Sequence, residues 1–232
     1  MTKSLTLNRH QIAQLVAQDI PDGSTVNLGI GMPTLVADYL PPDREILMHS
    51  ENGILGMGPK AQDDDIDPDL INASRVPVTL LPGASITEHT ISFAMMRGGH
   101  LDYSVLGGFQ VAPNGDLANW ITDAPDAIPA IGGAMDLAIG AKHVFVTMDH
   151  TTKQGEHRLL EKCSYPLTGL GVVDTVYTNL AIVDVHDGKF TVRAIADGLA
   201  LEDLQKLTGA ALYASPDIKT ISLTQEGVPT LV

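Results

Sequence analysis

The stretch TVNLGIGMPTLVADYLPPDREILMHSENG, residues 25–53, changes pattern twice, and those changes decide the fold class. TVNLGI reads as a short apolar strand running into Gly29-Ile30-Gly31. Pro33 suits the first turn of a helix, because its missing N–H would be unpaired there anyway. Leu35, Val36 and Leu40 continue that helix, and Pro41-Pro42-Asp43 break it. EILMHS, residues 45–50, is a second strand, and it delivers Glu51 at its C-terminal end. Strand, helix and strand in quick succession form the repeating unit of an α/β protein.

The alternation continues on both sides. Upstream, Asn8 is placed to cap a helix on which Ile12, Leu15 and Val16 recur at helical spacing. Downstream, VPVTLL (76–81) reads as a strand, and Ser85 with Glu88 fits a capping box for a helix ISFAMMR ending at Gly98-Gly99. LDYSVLGGFQV (101–111) is a strand with a glycine break at Gly107-Gly108, and PNGD (113–116) is a hairpin-type turn. Gly132-Gly133 open a short helical stretch, AMDLAIG, and HVFVTM (143–148) is a buried strand. Residues 175–196 read as two strands around the Asp187-Gly188 turn, and LEDLQKLTG (201–209) as a helix. From about residue 215 the tail reads as irregular. The expectation is one α/β domain over residues 1–232: a mostly parallel open sheet flanked by helices, with an antiparallel edge.

Charge narrows the function. Twenty-eight acids against 14 Lys plus Arg give a net charge of −14. Nucleic acid needs a basic face, and an aromatic content of 4% offers little for base stacking, so it is not expected as a partner. A small anionic ligand stays compatible, since backbone N–H groups and a few local cations can hold one. No apolar run approaches the ~18 residues needed to span a bilayer. The N-terminus, MTKSLTLNRHQ, carries no apolar leader. Cys163 is the single cysteine, so no intrachain disulfide can form. Together these favour a cytoplasmic, membrane-free enzyme or binding protein.

Several motifs carry less than they first suggest. Gly29-x-Gly31 after a strand has the start of a dinucleotide fingerprint, but Thr34 stands where the third glycine belongs and Pro33 intrudes. A glycine turn that admits a ligand remains open beside plain turn structure. An ion-binding loop starting at Asp63 would need Gly and Glu where Pro68 and Ser74 stand, so DDDIDPD reads as a solvated acidic loop. His150 and His157 lack a third ligand at zinc spacing, and no metal is expected. Cys163 sits in no nucleophile motif and reads as a small core residue. Glu51 ends a strand in an α/β sheet, where ligands commonly bind. By position alone it could be a surface charge, a ribose-binding acid, a metal ligand or a nucleophile.

SENGILGMGP (50–59) resembles the SENG motif of the family I CoA-transferases, in particular the B subunit of the 3-oxoacid CoA-transferases. NLGIGMPTLVADYL, DPDLINA, the strand ending in LLPG, SFAMMRGGHLD, GDLANW, IGGAMDLAIGAKHVFVTMDH and EKCSYPLTG match in the same order. The resemblance runs from about the first helix to residue 210. It implies the open-sheet CoA-transferase (NagB/RpiA-like) fold, with Glu51 as a nucleophile forming a glutamyl-CoA thioester in a ping-pong exchange. It further implies that the backbone at Gly133, or at Gly132 beside it, steadies an oxyanion. Asn52 would orient the carboxylate or touch ligand, and Gly29 and Gly31 would face the same pocket.

The same resemblance has implications for cofactors and partners. Coenzyme A would serve as substrate and covalent intermediate, with no permanently bound cofactor and no metal. The family's site lies between an A and a B half. This chain starts with its own Met and matches the B half, so a separate A subunit is expected, assembled as αβ or α2β2. Succinyl-CoA is the expected donor, with acetoacetate and 3-oxoadipate both open as acceptors. A sugar-phosphate isomerase on a related sheet and a non-catalytic acyl-CoA-binding protein stay open as alternatives.

Overall fold

A computed structural model describes residues 4–232. The first three residues, part of the segment read as lacking a leader, lie outside the described residues. The elements are α1 (Arg9–Asp19), β1 (Thr25–Leu28), β2 (Leu47–Ser50), β3 (Ile54–Lys60), β4 (Val78–Ile86), α2 (His89–Arg97), β5 (Leu101–Gly107), β6 (Gln110–Val111), β7 (Leu117–Ala118), α3 (Ala134–Gly140), β8 (Ala141–Thr147), β9 (Thr175–Tyr177), β10 (Ala181–His186), β11 (Lys189–Ala196), α4 (Leu201–Lys206), β12 (Leu212–Leu223) and β13 (Pro229–Leu231).

Eleven strands form one sheet in the order β13-β12-β11-β10-β9-β8-β5-β1-β2-β3-β4, and β6 pairs with β7 apart from it. The centre, β9-β8-β5-β1-β2, is parallel throughout. Antiparallel pairs flank it on both sides, β2-β3-β4 on one and β9-β10-β11 on the other. The α/β expectation therefore holds, with more antiparallel structure at the flanks than the single edge the sequence suggested.

Both faces of the parallel centre are covered. On β8, Val144 and Val146 pack into one apolar cluster with Met96, Leu137 and Leu204 from the helices α2, α3 and α4. Phe145 between them packs into the other, with Ile12, Leu15 and Val16 of α1. That is why HVFVTM reads as a continuous apolar run: a strand buried on both faces has no polar side to show.

Local chemistry explains most boundaries. Asn8 Oδ1 accepts from the N–H groups of His10 (2.9 Å) and Gln11 (3.0 Å), and Gln11 Oε1 accepts from Asn8 N–H (2.9 Å). This reciprocal box starts α1 where the sequence placed its cap. Pro33 opens an eight-residue 3-10 helix, Met32–Tyr39, where an ordinary helix was expected. Asp187 and Gly188 both take positive φ (52° and 68°), the geometry of a tight hairpin turn.

Three expectations need correction, and one stretch gains an element. Ser85 lies inside β4, and Glu88 occupies the cap position of α2 without a side-chain capping bond, so the proposed capping box is absent. The glycine-bearing run after Glu51, to which no element was assigned, forms β3 over residues 54–60 and turns back beside β2. Residues 175–196 hold three strands, because Thr178 Oγ1 takes the N–H groups of Leu180 and Ala181 and makes a turn there. The tail is not irregular either: β12 runs parallel to β11 from residue 212, and β13 pairs back on it. Among the described residues no helix is long and apolar enough to cross a membrane.

Candidate active site

The sheet order reverses beside β1, whose neighbours are β2 on one side and β5 on the other. Loops diverge at such a point, and a crevice opens beyond the carboxyl ends of the strands. A cavity of about 630 Å³ lies there, lined by Gly29 after β1, Glu51 after β2, Gly107 and Gly108 at β5, and Met148 and Asp149 after β8. Gly132 and Gly133, ahead of α3, complete one wall.

Glu51 sits in the tight turn from β2 to β3. Gly53 N–H donates to Ser50 O (3.0 Å), and Thr87 N–H donates to Gly53 O (2.8 Å). Gly53 has φ +116°, and a β-carbon there would overlap the Thr87 carbonyl oxygen. The turn thus needs glycine twice over, for its dihedral and for its space.

The carboxylate of Glu51 reaches across to α3. A β-carbon on Gly133 would overlap Glu51 Oε2 and lie 3.3 Å from Phe93 Cζ. Neither Gly132 nor Gly133 N–H donates a hydrogen bond to another described residue. Phe93 is framed in turn by the His89 ring (centroids 4.5 Å apart) and by Arg97 over its face at 5.7 Å. Arg97 Nε also meets Asp136 Oδ1 at 2.6 Å, tying α2 to α3 around the carboxylate.

Burial pushes the Glu51 carboxyl above its ordinary value; His89 opposes the shift and Asp136 adds to it. A carboxylate that is poorly hydrated is a better nucleophile than one fully wrapped in water.

Of the residues singled out in the sequence, Glu51, Gly29, Gly132 and Gly133 line the cavity. Gly31 lies one step outside that lining, with φ +95° at the cap of the 3-10 helix. Asn52 is turned away: its Nδ2 donates to Ile71 O (2.7 Å), and its Oδ1 accepts from Ser50 Oγ (2.6 Å). It secures the chain just after the acidic loop to the turn and does not line the cavity. Cys163 is buried with its thiol pushed up to about 11, as suits an inert core residue. Among the described residues no group of three or more His, Cys, Asp and Glu side chains could hold a metal ion.

Sequence reasoning missed the polar groups beneath Glu51. Asn27, His49 and Ser92 are all buried and linked by hydrogen bonds. Their signal was the in-register pair Asn27 and His49, polar residues on adjacent strands of an otherwise apolar centre. It also missed Lys60 and Arg158, the two cations of the lining, neither of which meets an acidic side chain within 4 Å among the described residues.

The model of the coenzyme A transferase family matches residues 9–206. The chain is 58% identical over 206 residues to the B subunit of the 3-oxoadipate CoA-transferase of Acinetobacter baylyi, covering 89% of this chain and 95% of that one. It is 43% identical over 210 residues to the B subunit of the probable succinyl-CoA:3-ketoacid coenzyme A transferase of Bacillus subtilis, covering 90% and 97%. Its fold is similar to the acyl-CoA transferase YdiF of Escherichia coli O157:H7, with a TM-score of 0.74 at 19% identity over 96% of this chain. This chain spans 45% of the length of that structure.

Proposed function

The chain belongs to the coenzyme A transferase family and is an enzyme of that class, and on this premise we propose that it is the B subunit of a 3-oxoacid CoA-transferase using Glu51 as nucleophile. The observation that carries the reading is the half-buried Glu51 carboxylate, set against Gly133 at the mouth of the strand-end cavity.

The exchange begins when a Glu51 carboxylate oxygen attacks the thioester carbonyl carbon of the acyl-CoA, and the carbonyl oxygen takes up the charge. The C–S bond breaks, CoA leaves as thiolate, and a mixed anhydride joins the acyl group to Glu51. The thiolate then attacks the Glu51 carbonyl carbon, the free acid departs as carboxylate, and a glutamyl-CoA thioester remains. The acceptor carboxylate runs the steps in reverse. One carboxylate is exchanged for another throughout, so the nucleophile needs no separate base at neutral pH.

The backbone N–H of Gly133, or of Gly132 beside it, suits the oxyanion of each tetrahedral intermediate, because neither donates to another described residue. Water would hydrolyse the anhydride, so the open side of the cavity needs a cover. A separate A subunit is the proposed cover; relatives named as B subunits imply such a partner. Coenzyme A enters as substrate and passes through a covalent stage. Lys60 and Arg158 offer positive charge to its phosphates or to a second carboxylate of the acyl group.

Succinyl-CoA as donor and 3-oxoadipate as acceptor are favoured over acetoacetate, because identity is 58% to the relative named for 3-oxoadipate and 43% to the one named for a 3-ketoacid. The test is to assemble the chain with its A subunit and assay succinyl-CoA against both acids. Mass spectrometry of the acyl-CoA-treated complex should find CoA on the peptide carrying Glu51. Exchange without any adduct, or full turnover in Glu51→Gln, would remove the proposal.

A further inference from the structure

Beneath Glu51 runs a series of hydrogen bonds whose direction is fixed at each link. Asn27 Nδ2 lies 3.1 Å from the His49 carbonyl oxygen and 2.9 Å from His49 Nδ1. A carbonyl can only accept, so the amide must present its NH2 group to both atoms. His49 Nδ1 is then an acceptor and carries no proton. The neutral ring places its proton on Nε2, which donates to Ser92 Oγ at 2.9 Å. Ser92 Oγ–H is left to donate to the Ser50 carbonyl oxygen at 3.1 Å. That carbonyl belongs to the peptide whose nitrogen is that of Glu51, and it also accepts from Gly53 N–H at 3.0 Å. Burial keeps the His49 ring neutral, as this relay requires.

We propose that His49 and Ser92 are positioning residues: this directional relay from Asn27 clamps the Ser50 carbonyl and thereby sets the angle at which Glu51 meets Gly133. The inference rests on Glu51 being the nucleophile. Asn27, His49 and Ser92 are 3%, 2% and 1% exposed, on β1, β2 and α2. Three elements are therefore linked in series, and Ser92 at the end of the series holds the peptide at the start of the catalytic turn. A buried histidine on a central strand is costly to desolvate, and an apolar residue would fill its place with less penalty. Its presence makes sense where a rigid, fully satisfied polar relay orients a neighbour. Ser92 does not line the cavity; His49 does, but both of its ring nitrogens are engaged by Asn27 and Ser92, so the effect should fall on turnover more than on binding.

The experiment uses the assembled transferase with Ser92→Ala, His49→Leu, His49→Gln and Glu51→Gln. Ser92→Ala and His49→Leu each should lower kcat about tenfold or more, the effect of a small misplacement, while KM for acyl-CoA stays within about twofold. The rate of CoA attachment to Glu51 at saturating acyl-CoA should fall by the same factor. His49→Gln retains a donor toward Ser92 and should recover part of the loss. The double variant Ser92→Ala with His49→Leu should be no slower than either single one. Wild-type turnover in Ser92→Ala, beside an inactive Glu51→Gln, overturns this inference alone. Losses in kcat and KM together with a broad fall in Tm, unrelieved by His49→Gln, also overturn it, since that is a packing defect. Wild-type turnover in Glu51→Gln overturns the nucleophile reading and this inference together.

Discussion

The Glu51 carboxylate lies directly on the backbone of Gly133, with no room between them for a β-carbon. Gly133 itself has φ −83° and ψ 7°, which any residue can adopt. Gly133→Ala should therefore fold and assemble but displace the carboxylate. Turnover should drop by about 10²-fold, the scale of a misplacement near 1 Å, while Tm changes little. Steady-state kinetics and thermal unfolding of the assembled variant check the two halves.

Removing the charge of Glu51 should stabilise the protein while it abolishes exchange. The folded carboxyl titrates above its unfolded value because burial disfavours the charged form. The folded state then binds more protons than the unfolded state between the two values, and stability falls as pH rises through that window. Glu51→Gln carries no charge at any pH. It should melt above the wild type at pH 7 to 8, with the gap closing as pH falls below the ordinary carboxylate range. Thermal unfolding from pH 4 to 8 follows the gap directly.

The centre of the fold was legible because its rules are local. Asn8 makes the expected cap, Asp187-Gly188 makes the expected turn, and apolar runs became strands buried on both faces. What escaped depends on neighbours distant in sequence. ILGMGPK has three weak strand formers in seven positions, and it becomes β3 because β2 and β4 pair with it on both sides. β12 has mostly exposed side chains, so no alternation announces it; the edge of β11 organises it. Ser85 and Glu88 have the right spacing for a cap, yet pairing of Ser85 with Leu55 takes Ser85 into a strand. At the site, position alone left Glu51 ambiguous, and the role proposed for it came from resemblance. Asn52, next to it, is occupied by Ser50 and Ile71, which no local pattern could show.

Gly53 should tolerate no side chain. Its φ of +116° is costly for any L-residue, and its β-carbon would overlap the Thr87 carbonyl oxygen. Gly53→Ala should lose about 3 kcal/mol or more, since strain at such dihedrals costs about 1–3 kcal/mol before the overlap is counted. Gly31→Ala offers the contrast: φ is +95°, but nothing lies within 4 Å of the added carbon. Its loss should stay near the strain alone, about 1–2 kcal/mol. Urea unfolding of both variants separates the two contributions.

His150 should make the fold sensitive to mild acid. Its ring is fully buried, with Nδ1 3.0 Å from Thr178 Oγ1 and Nε2 2.9 Å from Thr208 Oγ1. Burial lowers it from 6.5 to about 4, with His157 adding a smaller push. Between those values the unfolded chain binds the proton and the folded one does not, so stability rises with pH across the window. Conversely, falling from pH 6.5 to 4 should remove roughly 3 kcal/mol, taking 1.36 kcal/mol per unit. His150→Gln has no titrating ring. The stability difference between wild type and His150→Gln should therefore shrink over that same window and stay flat above pH 7. Urea unfolding at half-unit pH steps measures it, and a difference independent of pH would show that His150 is not the group responsible.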